Sequence, residues 1–317
     1  MKIILSRKGF DTGNAGMPSP IMPDGTPLSL PIPRGRGHFY SYDDLYFRGR
    51  SLSSIIKDLS VGPSFREKDK DKDKAHADPD LDVERLPRQR GWRPAFGQSG
   101  GDQTHLKNQG VGKGDLFLFF GWFRHTQDAG DGHLLYTGPT QGFHALFGWL
   151  QVGEFYPINC QSAAEALPAW LKQHPHAAIP DAPDAFDHNN TIYVESDDLR
   201  IGGVSLPGVS GGGTFPQFTP ALRLTKPGEK RRTHWALPKW FYHENEQRRL
   251  SYHGDPRRWS ADGDHAILRT VARGQEFVLN TQFYPEALDW VASLFRPAEA
   301  FAEQSAARRT ALLSSDP

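Results

Sequence analysis

The chain has almost no cysteine. Cys160 is the only one among 317 residues, which excludes an internal disulfide and any zinc site built on thiolates. A lone thiol fits a reducing compartment. Net charge is missing as well. The 37 basic side chains balance 37 acidic ones, so nothing draws the whole molecule to nucleic acid or an anionic membrane, and only a local basic groove stays open. Long apolar runs are absent too. None approaches the eighteen or so residues of a membrane span, and the apolar start Ile3-Ile4-Leu5 is too short for a signal peptide. The expected address is cytoplasmic, with no membrane partner.

Glycine and proline, in contrast, are abundant at 32 and 25 residues, which implies many turns and short elements. With apolar residues at only 37%, aromatic side chains, eight tryptophans among them, must supply much of the buried area. Two aromatic runs stand out between residues 114 and 156. Gly114-Asp115 opens Leu116-Phe117-Leu118-Phe119-Phe120-Gly121-Trp122-Phe123. A near-echo follows at Ala145-Leu146-Phe147-Gly148-Trp149-Leu150-Gln151-Val152-Gly153-Glu154. Both are short, aromatic or β-branched, and bounded by Gly or Asp, the pattern of buried strands. Gly121 and Gly148 each precede a tryptophan and mark a bulge or a close approach of backbone or ligand. The polar, glycine-rich residues 126–141 between the runs read as a loop. The pair predicts a hairpin, or two adjacent strands, at the heart of a mainly β sheet.

Around this centre the expected fold is α+β: a sheet or small barrel with peripheral helices and long Pro/Gly-rich loops. Residues 2–6 read as a first strand. Prolines between 18 and 33 forbid helix and central-strand pairing, and Asp24-Gly25 is a turn, so an extended ribbon crosses the sheet edge there. Residues 51–59 place Ile55, Ile56 and Leu59 on one helical face. Residues 285–295 do the same with Leu288, Val291, Leu294 and Phe295, and Pro285 suits the first turn. Ser162 and Glu165 have capping-box spacing for a helix ending at Gln173, although Pro168 falls inside it. Residues 202–213 carry so much glycine that they read as loop. One domain is expected over residues 1–295. A charged low-complexity insert interrupts it at 64–76, and an Ala/Ser-rich tail follows at 296–317.

Several places carry chemistry. Ser6, Arg7, Lys8 and Asp11 end the first strand, where loops held by a sheet meet anions or nucleotides; a solvated strand end is the plainer reading. His76-Ala77-Asp78-Pro79-Asp80 sets a histidine and two carboxylates within five residues. Turn chemistry accounts for the aspartates, but His-x-Asp also begins the facial triad of non-haem iron oxygenases, which needs a second histidine from far downstream. Thirteen histidines do not identify it, so no metal ligand set is assigned. His174-Pro175-His176 closes the 162–173 helix, where two histidines either share a metal or simply suit a helix end. Gln103, His105, Asn108 and Gln109 form a polar run before the central strand. Such amides read base edges and His105 can serve as acid or base, yet caps and turns use the same residues. Lys230, Arg231 and Arg232 beside Trp235, Trp240 and Phe241 make a basic-aromatic patch with charges for phosphates and rings for bases. The bland alternative there is a basic turn followed by a helix that buries Leu237, Trp240 and Phe241.

The segments Leu5-Ser6-Arg7-Lys8-Gly9-Phe10-Asp11, Leu28-Ser29-Leu30-Pro31-Ile32-Pro33, His76-Ala77-Asp78-Pro79-Asp80-Leu81, residues 114–123 and residues 274–279 occur in this order. In them the chain resembles the nucleotide modification associated domain 3 family. The resemblance implies work on nucleic acid or nucleotides in the company of other base-modification enzymes, and it carries over no catalytic residues. Gly114-Asp115 and Gln151-Val152-Gly153-Glu154 are also similar to the small β-barrel of PUA, ASCH and EVE domains, which bind RNA or modified bases beside the barrel.

The expected protein therefore handles nucleic acid or nucleotides and binds or modifies a base in a loop-lined pocket. Asp11, Asp78, Asp80 and His105 are its candidate acids and bases. Ser6, Arg7, Lys8, Gln103, Asn108, Gln109, Lys230, Arg231 and Arg232 are its candidate nucleotide contacts. A non-catalytic reader of modified DNA or RNA is the alternative, and an iron-dependent oxygenase on His76 and Asp78 a third. The sequence names no cofactor and no oligomeric state.

Overall fold

In the computed structural model, which describes residues 1–33, 40–60, 74–180, 186–242, 250–271 and 275–296, both aromatic runs are long strands lying side by side. In chain order the strands of three or more residues begin with β1 (Lys2–Arg7), β2 (Ser19–Ile21), β3 (Ala95–Gln98), β4 (Leu116–Asp128), β5 (Leu134–Tyr136) and β6 (Phe143–Pro157). Then come β7 (Thr191–Glu195), β8 (Asp198–Ile201), β9 (Val204–Ser210), β10 (Gly212–Thr214), β11 (His234–Pro238), β12 (Trp259–Asp262), β13 (His265–Arg269) and β14 (Glu276–Asn280). The main sheet runs β14-β1-β4-β6-β7-β3, with β2 and β5 also on β4 and β10 also on β6. β4 and β6 pair antiparallel, with a register shift between Leu146 and Gly148, where a glycine bulge was expected. β1 and β2 run parallel to β4. Among the described residues, backbone pairing does not close this order on itself, so the sheet alternative holds and the barrel does not.

Alternation explains why β4 reads as an unbroken apolar run. Successive strand residues point to opposite faces, and both faces are buried here. Ile3, Leu5, Leu116, Leu118 and Phe120 meet the three-stranded sheet β11-β13-β12 and the late helix on one side. Ile4, Phe117 and Phe119 meet Phe96, Phe147 and Tyr193 on the other. Of the helices, α1 (Leu52–Leu59) is capped by the Ser51 hydroxyl, which accepts from the Ser54 N–H, and buries Ile55, Ile56 and Leu59 as its pattern predicts. After it come α2 (Gly100–Asn108), α3 (Gln161–Glu165) and α4 (Glu286–Leu294). The last buries Ala287, Val291 and Leu294 against the main sheet.

Local expectations fail where tertiary packing overrides them. The polar run at 103–109 is helix α2 rather than loop. Only Gln103 and Leu106 are buried, so no apolar stripe announced it, and Gly100-Gly101 disguise its start. The helix expected over 162–173 is split: α3 stops at Glu165, Cys160 rather than Ser162 takes the N-cap position, and Pro168 precedes a separate 3-10 turn at Ala169–Gln173. A proline there has no N–H to give and clashes with the preceding turn. Residues 202–213 are largely strand, not loop. Their glycines answer crowding: a Cβ on Gly211 would lie 2.0 Å from the Ser196 carbonyl oxygen, and one on Gly213 would lie 3.1 Å from the Trp149 ring. After the basic turn comes strand β11, not helix. Its buried Trp235 and Leu237 alternate with half-buried neighbours, and a short turn at Lys239–Phe241 follows. The loop at 126–141 folds back as β5 onto β4. The proline ribbon supplies β2, and Met22 donates to the Thr26 carbonyl across the Asp24-Gly25 turn.

Most of the charged insert at 64–76, Arg248, Arg249, Gly274 and the tail from residue 297 lie outside the described residues. No described helix is long and apolar enough to cross a membrane, which leaves membrane-spanning strands unaddressed.

Candidate functional site

Side chains, not backbone, link the two ends of the sheet order. Gln98 on β3 donates from Nε2 to Glu276 Oε1 on β14 at 2.6 Å. Ser6 Oγ at 3.1 Å and Lys8 Nζ at 2.9 Å donate to the same oxygen. Glu276 is wholly buried, and its Oε2 has no hydrogen-bond partner among the described residues. The Lys8 ammonium lies 4.6 Å over the Phe96 ring of β3, two residues before Gln98. A buried carboxylate is tolerated only when paired and hydrogen-bonded, and Lys8 supplies the opposite charge.

One residue along the same strand begins a second polar cluster. Gly97 donates its N–H to Asp78 Oδ1 at 2.7 Å, and His174 Nε2 lies 3.1 Å from that oxygen. The His76 and His176 Nε2 atoms face each other at 3.2 Å. His76 and Asp78 come from the segment after the two-residue strand Lys74–Ala75, and His176 from the one-turn 3-10 helix Pro175–Ala177. His76 and Asp78 are almost fully buried and His176 half-buried. Ligating atoms of the three all lie within 4.8 Å of one another. Burial alone would raise the Asp78 carboxyl, but the adjacent His174 ring first, then His176 and His76, hold it well below the usual carboxylate range. Burial pushes His176 down to about 4 against the opposing pull of Asp78. At neutral pH the cluster is thus a carboxylate facing a neutral His176.

Cavities differ sharply around these clusters. Beside Asp78, a pocket lined by Leu28, Ser29, Ala77, Asp78 and Thr214 has a volume of about 50 Å³. That admits a water or two beside the carboxylate. A wider cleft of about 510 Å³ lies at the start of β4, lined by Arg93, Lys113, Gly114, Gln151, Glu154 and Arg200. It is within the range of nucleotide-sized ligand sites. Gly114 and Gln151 belong to the two motifs that raised the expectation of a PUA-like barrel, yet Gln151 is committed to the backbone, donating to the Gly114 and Arg200 carbonyls and accepting from the Arg200 N–H.

The family model for nucleotide modification associated domain 3 matches residues 2–280. The chain belongs to that family. No curated protein and no solved structure matches it. The nucleotide modification associated domain 3 match spans β1 through β14, and so contains both polar clusters and the cleft.

Within this family member the anticipated site residues separate into groups. Asp78 joins the histidines. Asp80 does not: both its oxygens accept from Arg88, at 2.6 and 2.8 Å, and Oδ2 also accepts from the Trp92 indole, a clamp for the 80–92 loop. Asp11 sits in a surface cluster with Arg7 at 3.8 Å and Arg232 at 3.6 Å. Burial opposes ionisation there, but the Thr12 N–H and the two guanidiniums hold the Asp11 carboxyl below its ordinary range. Arg232 also stacks 4.2 Å over Trp122, whereas Lys230 and Arg231 stand exposed. His105 lies apart from Asp78, its Nε2 3.1 Å from Ser251 Oγ, and burial lowers its pKa. Gln103 is buried against the Tyr193 hydroxyl, while Asn108 and Gln109 are exposed at the end of α2. Ser6 and Lys8 are held by Glu276. Sequence reasoning missed Glu276, Asn190 and Gly97. It noticed His76-x-Asp78 and His174-x-His176 separately, with nothing in their spacing to join them.

A buried histidine outside these clusters predicts acid sensitivity. His144 on β6 accepts at Nδ1 from the Trp235 indole at 3.0 Å. Burial first, then the Arg232 and Arg7 charges, pushes it down to about 3, against Asp11. The unfolded chain has an ordinary imidazole near 6.5 and binds the proton first, so this contribution is complete above that pH and fades as pH falls below it. Between pH 7 and 5 the loss is about 2 kcal/mol. His144→Gln, which keeps an acceptor for Trp235, should flatten the denaturant-measured stability over that interval by this amount. An unchanged slope would mean that His144 is not the group taking up the proton.

Proposed function

We propose that this protein binds a base, in nucleic acid or as a nucleotide, and takes part in its modification, with Asp78 and the surrounding histidines as the reacting centre. The convergence of His76, Asp78, His174 and His176 at β3, in a chain of a nucleotide-modification family, carries this reading. Asp78, His76 and His176 bring a carboxylate and two imidazoles to one place, groups that serve either as acid and base or as ligands of an electrophilic ion. Arg7 and Arg232 around Asp11, with exposed Lys230 and Arg231 nearby in sequence, suit backbone phosphates. Asp80 and His105, tied to other partners, act as positioning or structural groups.

A second reading, a non-catalytic reader of modified nucleic acid, draws on the 510 Å³ cleft with Arg93, Lys113 and Arg200 on its walls. The test is mass spectrometry of nucleosides in DNA from cells with and without the protein, its neighbouring modification enzymes present throughout. Asp78→Asn should abolish a change in the nucleosides while leaving DNA retention intact. Unchanged nucleosides with retained binding to modified DNA would favour the reader, and neither change nor binding would overturn both.

A further inference from the structure

Hydrogen bonds around the histidine cluster fix the proton positions on His174 and His176. Asn190 donates from Nδ2 to the His176 carbonyl at 2.8 Å, which fixes which way its amide points. Its Oδ1 lies 2.7 Å from His176 Nδ1. An amide oxygen can only accept, so the His176 proton sits on Nδ1 and Nε2 carries a bare lone pair. That lone pair faces His76 Nε2. The orientation of a metal-binding histidine is commonly set in this way, by the hydrogen bond its other nitrogen makes.

His174 plays a different part. Its Nδ1 accepts from the His176 N–H at 3.2 Å, so its proton is on Nε2, 3.1 Å from Asp78 Oδ1. The Gly97 N–H donates to that same oxygen, and His174 Nε2 lies beside it without hydrogen-bond alignment. Asp78 Oδ2 accepts no hydrogen bond among the described residues and is the oxygen left over. The two Nε2 atoms, 3.2 Å apart, subtend about 100° at an ion bonded to each at roughly 2.1 Å, close to the angle of neighbouring ligands around a transition metal.

We propose that His76, Asp78 and His176 bind one divalent first-row transition-metal ion, with Asn190 and His174 as positioning residues for the second imidazole and the carboxylate. Two imidazoles and one carboxylate from three chain positions leave further coordination places open to water or substrate. The ion is Fe²⁺-like or Zn²⁺-like in its preference for nitrogen and oxygen donors. Calcium and magnesium, which take oxygen ligands, are excluded by the two imidazoles. This inference does not depend on the base-modification reading, because metal binding is measured without nucleic acid.

The experiment uses the full chain, purified without a histidine tag and stripped with chelator, titrated with Co²⁺ and then Zn²⁺ under anaerobic conditions. One Co²⁺ per chain should bind with a visible absorption band that Zn²⁺ removes. His76→Ala and His176→Ala should each abolish the band and weaken affinity about a hundredfold or more. Asn190→Ala and His174→Ala keep all three ligands and should weaken affinity about ten- to hundredfold, with the band retained at higher Co²⁺. Far-UV circular dichroism establishes that each variant is folded. If the wild-type chain binds neither ion, or if His76→Ala and His176→Ala bind as tightly as wild type, the site is a hydrogen-bonded cluster and the proposal falls. The wild-type titration decides this even where a variant does not fold.

Discussion

Lys8→Met is expected to destabilise the fold by about 3–5 kcal/mol, the cost of removing one partner from a buried ion pair. The Lys8 side chain is only 8% exposed and that of Glu276 is 0% exposed. Without the ammonium, the carboxylate keeps the Ser6 and Gln98 hydrogen bonds but loses its counter-charge in a site walled by Phe96. Water cannot screen it, and ionisation there is costly. Glu276→Gln should cost less, since an amide carries no charge to strand, and Lys8→Met combined with Glu276→Gln should recover part of the single-variant loss. Guanidinium unfolding of the four proteins gives the interaction energy directly. A loss below about 1 kcal/mol for Lys8→Met would place this pair with solvated surface bridges and refute its burial.

Gly97→Ala should be the most damaging single methyl in the molecule's polar centre. A Cβ at this position would lie 2.2 Å from His176 Cδ2 and 2.3 Å from its Cγ, well inside contact distance. The backbone there is ordinary extended strand paired with Ile192, so space rather than conformation demands glycine. His176 cannot give way cheaply, because Asn190 holds both its ring and its carbonyl. The expected cost is about 1–3 kcal/mol from overpacking, with Co²⁺ affinity falling at least about tenfold as His176 leaves its place. Gly101→Ala is the control. Its Cβ meets nothing within 4 Å, and it lies in helix α2, so the change should be neutral or slightly stabilising. If Gly97→Ala matches that control in both stability and metal affinity, the tight packing of His176 on β3 is wrong.

What was legible in the sequence was what period and punctuation encode. The β4 and β6 strands, the α1 face of Ile55 and Ile56 and the α4 face of Val291 and Leu294 each carry their own signal within a dozen residues. Helix α2 carried none, since its two buried side chains make no stripe and two glycines open it. Likewise, the glycines of β9 and β10 look like a loop until Trp149 and Ser196 are packed against them. The candidate site was legible in halves. His76-x-Asp78 raised the triad and its need for a distant histidine, but His176 lies a hundred positions later, and pairing at that distance is set by the sheet rather than by local spacing. Lys8 was noted as a strand-end charge. Its partner Glu276, 268 residues away, lay in the 274–279 segment, noted for its family resemblance and not as the partner of a buried charge.

The position of β1 has a consequence for how the molecule forms. This strand lies between β4 and β14, pairing Ile3 with Leu116 on one edge and with Leu279 on the other. Its second edge therefore waits for a segment about 270 residues downstream. Contacts of such sequence separation slow folding, because a large loop must close before the pairing rewards it. On a ribosome, β1 and β4 can meet early, but Ser6 and Lys8 have no carboxylate to hold until β14 has emerged. During that interval the growing chain shows an apolar strand with one open edge. That makes it a natural client for chaperones and a source of misassociation when synthesis outpaces completion of the sheet.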